Sequence, residues 1–376
     1  MKVGIIGGGV IGLSLGWQLL RREVEVTLFD ANKVTEGASH VAAGMLAPYA
    51  EVGFEELELM KLGEQSLRLY PDFLKSLSED VGRVPVLDQC GTLIVGLNRD
   101  DAAYIKRLYA FRQDLELPVQ MMTGSEARDR EPLLSPKVVS ALWLPEDAQI
   151  DNLDLIHCLK QAFENRGGVI HENERVTAVN ENAGSVHSLS TESADYVFDA
   201  VVVAAGCWSS DIAVPAAAVM SVRPVKGQII TLEQTRDCAL GCMVRSPRMY
   251  LVPKLNGTLR LGASMEDKGF DTRLTAGVQK DLLQDAFEAV PSIYDLPVVT
   301  AMAGLRPASR DHAPLIGETS IKKLYGATGH YRHGILLAPV TAVTLAAEIS
   351  GDSACSTSFS PTRYDASRSG SGLGDV

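Results

Sequence analysis

Long apolar runs and basic residues are both scarce in this chain of 376 residues. No run of 18 or more apolar residues is free of glycine clusters, so we predict no membrane-spanning helix. The 35 Lys and Arg residues are outnumbered by 47 Asp and Glu, giving a net charge of −12. Nucleic-acid binding needs basic faces, so this balance argues against such a partner. We expect a cytoplasmic protein without stable membrane insertion.

Cysteine is also sparse, with six residues in the chain. Only Cys238 and Cys242 are close in sequence, and neither a second pair nor a nearby histidine pair completes a zinc site. We therefore predict reduced, structural thiols and no metal site. The motifs G-x-S-x-G and G-x-x-x-x-G-K-[ST] are absent, which excludes the corresponding hydrolases and P-loop proteins.

The first 30 residues predict a compact βαβ unit. Alternation and apolar content indicate strands at 2–6 and 25–30, and a helix at 10–22. Residues 7–12 (GGGVIG) match G-x-G-x-x-G, and they lie between the first strand and the helix. An acidic residue, Asp30, ends the second strand. This context makes the glycine motif a strong indication of a dinucleotide site.

The three defining glycines of this motif, and the acidic residue after it, each have a physical role. Gly7 permits the tight turn, and Gly9 lets the backbone approach a pyrophosphate at the helix N-terminus. Gly12 allows the helix and strand to pack closely. Asp30 is expected to accept hydrogen bonds from the adenosine ribose, and its charge disfavours the 2′-phosphate of NADP.

Downstream, the chain does not continue the regular β-α alternation that NAD dehydrogenases show. Helical periodicity covers 54–80, 100–115, 153–165, 274–290 and 334–350. Strand patterns cover 84–97, 169–203, 222–263 (with a hairpin turn at 256–257) and 324–327. Residues 35–46 are predicted to form a functional loop, and the last dozen residues to be disordered. The strand at 198–205, which could extend the first sheet, arrives late.

We therefore predict a mixed α/β fold, in which a Rossmann-type dinucleotide-binding domain is interleaved with an antiparallel-sheet substrate domain. The predicted cofactor domain comprises 1–80, 150–215 and 303–350. The predicted substrate domain comprises 81–149 and 216–302, and 351–376 form a tail.

Six further segments identify a family resemblance. They are residues 37–46 (GASHVAAGML), 204–209 (AAGCWS), 224–228 (PVKGQ), 250–253 (YLVP), 303–307 (AGLRP) and 329–339 (GHYRHGILLAP). With these segments the chain resembles the D-amino-acid oxidase superfamily, and most closely the bacterial glycine oxidases of the thiamine thiazole pathway. The resemblance runs over nearly all of residues 1–350. It implies an FAD-dependent enzyme that forms a homo-oligomer.

The resemblance also implies the cofactor contacts. Relatives with covalent flavin use a cysteine near the last segment, and 329–339 has none, so we expect non-covalent FAD. A helix that begins at Gly334 would direct its positive end at the flavin. The implied FAD-binding residues are Gly7, Gly9, Val10, Ile11, Gly12, Asp30, Ala31, Ala38, Ser39, Ala43, Gly44, Met45, Val176, Ala205, Gly206, Trp208, His330, Tyr331, Arg332, His333, Gly334, Ile335 and Leu336.

For the substrate, the resemblance implies that Arg306 clamps a carboxylate, which its planar fork suits. Tyr250 would donate its hydroxyl to the same group, Arg332 would be a third contact, and Met265 an apolar wall. Arg248 departs from the pattern, because better-known relatives carry histidine there. It could favour a substrate with a second acidic group, or it could be a solvated strand residue.

The implied reaction is oxidative deamination of glycine, sarcosine or a small D-amino acid to an imine and then a 2-oxo acid and ammonia. Oxygen would be the electron acceptor, giving hydrogen peroxide, and the imine from glycine would serve thiazole synthesis. Two alternatives stay open. The chain could be a dehydrogenase of D-amino acids or sarcosine with a non-oxygen acceptor, or a flavin-binding subunit of a larger complex.

Overall fold

The computed structural model describes residues 1–51 and 53–367. The helices are α1 (Val10–Leu20), α2 (Ala38–Val41), α3 (Pro48–Glu51), α4 (Leu57–Val81), α5 (Arg99–Asp114), α6 (Gly124–Arg130), α7 (Asn152–Asn165), α8 (Ala276–Ala289) and α9 (Gly334–Ile349). The strands are β1 (Lys2–Ile6), β2 (Glu25–Phe29), β3 (Met45–Leu46), β4 (Thr92–Gly96), β5 (Gln120–Thr123), β6 (Ser140–Leu144), β7 (Ala148–Gln149), β8 (Val169–His171), β9 (Val176–Asn182), β10 (Ser185–Thr191), β11 (Asp195–Val197), β12 (Ala200–Val203), β13 (Arg223–Glu233), β14 (Met243–Arg245), β15 (Tyr250–Pro253), β16 (Thr258–Gly262), β17 (Val298–Ala308), β18 (Leu315–Glu318) and β19 (Leu324–Thr328). Short 3-10 helices occupy Gly206–Trp208, Ala216–Ala218, Pro291–Asp295, Thr357–Phe359 and Pro361–Ser367.

A six-stranded sheet with the order β18-β19-β12-β1-β2-β8 forms the first layer. Its strands are parallel except for β18, which pairs antiparallel with β19. The late strand β12 pairs directly with β1, so the prediction that it extends the first sheet is confirmed. Apolar α1 is almost wholly buried, and it packs against α7 and α9. The N-termini of α1 and α9 therefore lie in one compact unit.

An eight-stranded sheet has the order β17-β13-β16-β15-β14-β4-β6-β5. It is antiparallel except for the parallel pair of β14 with β4. Two small sheets, β11-β10-β9 and β3-β7, complete the architecture. The mixed α/β fold class is confirmed. The domain boundaries stay a prediction, and β17 runs across the predicted boundary at 302/303.

The local differences from the predicted elements have simple causes. The first helix ends at Leu20, two residues early, because the chain turns into β2 there. The predicted loop 35–46 contains helix α2 and strand β3, which pairs with β7. The hairpin turn at 256–257 joins β15 to β16 as predicted. Within the predicted disordered tail, residues 368–376 lie outside the described part of the chain.

Across residues 1–51 and 53–367, none of the helices combines the length and apolar character that crossing a bilayer requires. All six cysteines are free thiols.

Candidate functional site

A cavity of about 580 Å³ opens between the two large sheets. Ile6 and Phe29 line it from the six-stranded sheet, while Ile229 and Arg306 line it from the eight-stranded sheet. This size falls within the range of small-molecule and cofactor sites. Of the implied FAD-binding residues, all but Gly12, His333 and Leu336 line the cavity.

Two glycines of the first motif are required by sterics. Gly7 has φ +109°, and a Cβ built there would lie 2.4 Å from the carbonyl oxygen of Ala204. A Cβ at Gly12 would lie 1.9 Å from the carbonyl oxygen of Gly7. Gly12 therefore acts behind the cavity wall, where it lets α1 start directly against the turn.

Asp30 fixes the turn from the end of β2. Its Oδ2 accepts a hydrogen bond from the amide of Gly8 at 2.8 Å, and Oδ1 accepts from the amide of Asn32 at 2.9 Å. Burial raises the pKa of Asp30, against the lowering effect of these two backbone hydrogen bonds. A carboxylate can accept further hydrogen bonds, so Asp30 stays available to a ribose.

The segment after α2 brings bare backbone to the cavity. Just before it, Ser39 of α2 accepts a hydrogen bond on Oγ from the amide of Val10 at 3.1 Å, which links α2 to the start of α1. Gly44 has φ +74°, and a Cβ there would lie 2.1 Å from the carbonyl oxygen of Ile150. That carbonyl also accepts a hydrogen bond from Lys254 Nζ at 2.9 Å. A side chain at residue 44 would therefore clash with the backbone of Ile150, which the hydrogen bond from Lys254 holds in place.

The start of α9 offers positive charge to the same cavity. Gly334 and Ile335 line it, and the first turn carries neither a side-chain cap nor an acidic residue. Amides of a first turn lack partners within the helix, and the helix dipole adds to their positive potential. Tyr70 and Ser66 of α4 donate hydrogen bonds to the carbonyls of Ile335 (2.5 Å) and Leu336 (2.6 Å), which holds the helix in place.

Both histidines of this segment are buried and neutral at physiological pH. His330 Nε2 lies 3.0 Å from Thr341 Oγ1, and burial lowers its pKa to about 3. Burial likewise lowers the pKa of His333 to about 4. His333 does not reach the cavity wall, so its role as an FAD contact stays a prediction.

At the other end of the cavity, Arg306 and Tyr250 lie on β17 and β15. Arg306 Nη1 donates to the carbonyl of Ser264 at 2.9 Å, and its guanidinium covers Gly227, where a Cβ would lie 2.3 Å from Nη1. Among the described residues, no carboxylate lies within ion-pairing distance of Arg306, and none accepts a hydrogen bond from the Tyr250 hydroxyl. Burial raises the pKa of Tyr250 to about 12. The hydroxyl therefore stays a donor.

Arg332 and Arg245 converge on Glu51 at this end. Arg332 Nη2 donates to the Glu51 carbonyl at 2.6 Å and pairs with Glu56 at 3.2 Å. Arg245 Nη1 pairs with Glu51 Oε1 at 2.8 Å. Burial alone would raise the pKa of Glu51, but the guanidinium groups of Arg245 and Arg332 lower it below its ordinary value. Glu51 and Arg245 were missed from the sequence because they lie outside the family segments.

Two other predicted residues lie at the rim. Met265 is 69% exposed and lines the cavity, and its sulfur accepts a hydrogen bond from the Tyr331 hydroxyl at 3.1 Å. Arg248 also lines the cavity, and it forms ion pairs with Asp285 (3.0 Å) and Glu288 (3.9 Å) of α8. Arg248 is 42% exposed and lies in the bend between β14 and β15, so it is a solvated residue that is also ion-paired, and it is not in a strand.

The fold and this cavity are those of a dinucleotide-binding protein. The family described as "FAD dependent oxidoreductase" matches residues 2–348. This chain belongs to that family, FAD is its cofactor, and the resemblance drawn from the sequence is confirmed.

Named relatives agree with this assignment. Glycine oxidase of Geobacillus kaustophilus is 32% identical over 346 residues, which cover 92% of this chain and 91% of that protein. Bifunctional protein ThiO/ThiG of Trichormus variabilis is 33% identical over 346 residues, covering 91% of this chain and 51% of that protein. The crystal structure of the Geobacillus kaustophilus glycine oxidase has 31% identity and a TM-score of 0.90, covering 96% of this chain and 99% of that one.

The residues present suit FAD. The cofactor's diphosphate is anionic, and the start of α1 carries no acidic residue in its first turn. A Cβ at Gly206 or Gly334 would meet no protein atom within 3.5 Å, so both glycines leave room on the cavity side. Both Asp30 and Arg306 line the cavity, so it reaches from the dinucleotide turn to the arginine on β17.

Proposed function

We propose that this enzyme oxidises the carbon–nitrogen bond of glycine or a similar small amino acid, with non-covalent FAD as the immediate electron acceptor. The observation that carries the proposal is Arg306. Its guanidinium lines the same cavity as the start of α9, yet it has no carboxylate partner among the described residues. A half-buried arginine without a carboxylate partner suits an anionic ligand, and an amino-acid carboxylate supplies the anion.

The names of relatives support a small amino acid. Geobacillus kaustophilus and Pseudomonas putida proteins that cover 92% and 90% of this chain are each named glycine oxidase. Sarcosine and small D-amino acids share the same carboxylate and amine, so they belong to the proposed substrate class.

The chain's own residues then have separate tasks. Arg306 and Tyr250 hold the carboxylate through charge-assisted hydrogen bonds, which orients the Cα–H bond. Arg332 and Met265 complete the surroundings of the substrate. The positive end of α9 stabilises negative charge that develops on the cofactor edge. Bound FAD supplies the two-electron acceptor chemistry.

We also propose the reaction products, the final electron acceptor and the cellular compartment. The imine product hydrolyses to a 2-oxo acid and ammonia, and molecular oxygen takes the electrons and yields hydrogen peroxide. With glycine, the imine would supply thiazole formation in the cytoplasm. We also propose a homo-oligomer, and that residues 1–80, 150–215 and 303–350 form the FAD-binding domain.

Arg306→Ala tests the proposal. Because it removes a charged hydrogen bond in a partly buried site, KM for glycine should rise about 100-fold. Arg223→Ala is the matched control, since Arg223 lies on the neighbouring strand β13 in an exposed pair with Asp267. Its KM should not change. An unchanged KM in Arg306→Ala would contradict the assignment.

The electron acceptor needs its own measurement. Oxygen consumption and peroxide formation during glycine turnover by the purified chain would support the oxidase. Turnover only with an artificial electron acceptor would identify a dehydrogenase, and absence of turnover without a partner protein would favour a subunit of a larger complex.

A further inference from the structure

Four arginines line the end of the cavity around Tyr250, which we call the substrate end, and they differ in their ion-pair partners. They are Arg245, Arg248, Arg306 and Arg332. Three of them are paired with carboxylates: Arg245 with Glu51, Arg248 with Asp285 and Glu288, and Arg332 with Glu56. Of these four described arginines, Arg306 is the one without a carboxylate within ion-pairing distance, although its Nη1 donates to the carbonyl of Ser264. Among the four, Arg306 is therefore the guanidinium that can take a substrate carboxylate without breaking an ion pair.

The partners of Arg248 lie outside the cavity. Asp285 and Glu288 are one turn apart on α8 and do not line it. They engage two nitrogens of Arg248, Nε at 3.0 Å and Nη2 at 3.9 Å, so the guanidinium is held toward α8. Arg248 itself is 42% exposed. A partly exposed pair of this kind contributes about 0–1 kcal/mol, so replacing both acids should release the guanidinium for another anion without destabilising the protein.

We propose that Asp285 and Glu288 determine specificity, because they occupy Arg248 and thereby restrict the enzyme to amino acids with a single carboxylate. This inference rests on the proposed function. A substrate with a second carboxylate would have to break the pairing before it gained Arg248, and it would approach two acidic side chains. The two acids would thus repel a second substrate carboxylate and compete with it for Arg248, while Arg306 attracts the first carboxylate.

The ion pairs of Arg248 can be removed without changing a cavity-lining acid, whereas the ion pair of Arg245 cannot. Glu51 lines the cavity and contacts both Arg245 and Arg332, so changing it would disturb the binding site itself. Asp285 and Glu288 do not line the cavity, whereas Arg248 does. Their replacement should leave glycine oxidation unchanged.

Three substrates isolate the effect of a second carboxylate. Glycine gives the basal activity, iminodiacetate adds a carboxymethyl group on nitrogen, and N-ethylglycine adds an uncharged group of similar size. In the holoenzyme of Asp285→Asn/Glu288→Gln, the ratio of kcat/KM for iminodiacetate to that for N-ethylglycine should rise about tenfold. The change should lie in KM, and kcat/KM for glycine should match the parent enzyme.

Two variants separate pairing from general charge. Asp281→Asn/Asp295→Asn also removes two negative charges near α8, but Asp281 pairs with Lys280 and Asp295 is exposed. Its ratio should stay at the parent value. Adding Arg248→Ala to the test variant should abolish the gain.

The possible results divide clearly. An unchanged ratio in an enzyme that still oxidises glycine would overturn this inference and leave the proposed function intact. An equal rise in the charge control, or a gain that survives Arg248→Ala, would overturn it as well. Failure of the parent enzyme to oxidise any amino acid would overturn the proposed function, and this inference with it.

Discussion

The two ends of the cavity are built by different means. At the dinucleotide end, backbone amides and glycines come from short continuous segments, 7–12 above all, and Asp30 fixes them through backbone hydrogen bonds. At the substrate end, charged side chains from distant segments meet. Ion pairs there leave Arg306 as the arginine without a carboxylate partner among the four that line this end. In the structure, the dinucleotide end depends on space for the backbone, and we propose that substrate choice depends on the pairing of arginines.

The sharpest way to break the dinucleotide end is Gly12→Ala. The new Cβ would lie 1.9 Å from the Gly7 carbonyl oxygen, which is backbone and cannot move aside cheaply. We expect loss of bound FAD and a fall of about 3 kcal/mol in the free energy of unfolding. The ratio of visible to ultraviolet absorbance and urea unfolding would measure both. In the control Gly277→Ala no protein atom lies within 4 Å of the new Cβ, and FAD content should be unchanged. Full FAD content in Gly12→Ala would refute the steric argument.

Acid should destabilise the fold through His330, which precedes α9 and contacts Thr341 of that helix. Folded His330 has a pKa lowered to about 3, whereas the unfolded chain titrates near 6.5, so the unfolded state binds more protons between these values. Stability should therefore fall as pH drops from about 6.5 toward 4. His330→Gln should reduce this loss by about 2 kcal/mol.

Urea unfolding at a series of pH values would measure this effect of acid. The exposed His157 gives the control variant His157→Gln, which should show the same acid dependence as the parent protein. A His330→Gln protein with the parent's full loss of stability would show that other groups govern the response to acid.

Tyr250→Phe sharpens the substrate end with the smallest change. It removes one hydroxyl donor and leaves Arg306 in place, so KM for glycine should rise about tenfold. Tyr294→Phe, at a residue that is 79% exposed, should leave the kinetics unchanged. Steady-state kinetics at equal FAD loading would compare KM for glycine in the two variants with that of the parent enzyme. If Tyr250→Phe had the parent's KM, the carboxylate would be held by Arg306 without this tyrosine.

The same comparison explains what the sequence could predict. The turn at Gly7, the short strand β1 and the late strand β12 are dictated by local sterics and apolar patterning, so they were predictable. Residues 35–46 were harder, because α2 is held by the contact of Ser39 with Val10 across 29 positions. Side-chain pairing at long range leaves no periodic signal. The pairing of Arg248 with Asp285 spans 37 positions, and neither partner lies in a family segment.

The most direct test of flavin-dependent amino-acid oxidation is an anaerobic half-reaction. Glycine is added to the purified holoenzyme without oxygen, and the absorbance of oxidised flavin is followed. The parent enzyme should lose this absorbance, while Arg306→Ala at the same glycine concentration should keep most of it. A colourless purified protein, or a flavin that neither glycine, sarcosine nor a small D-amino acid reduces, would contradict the account.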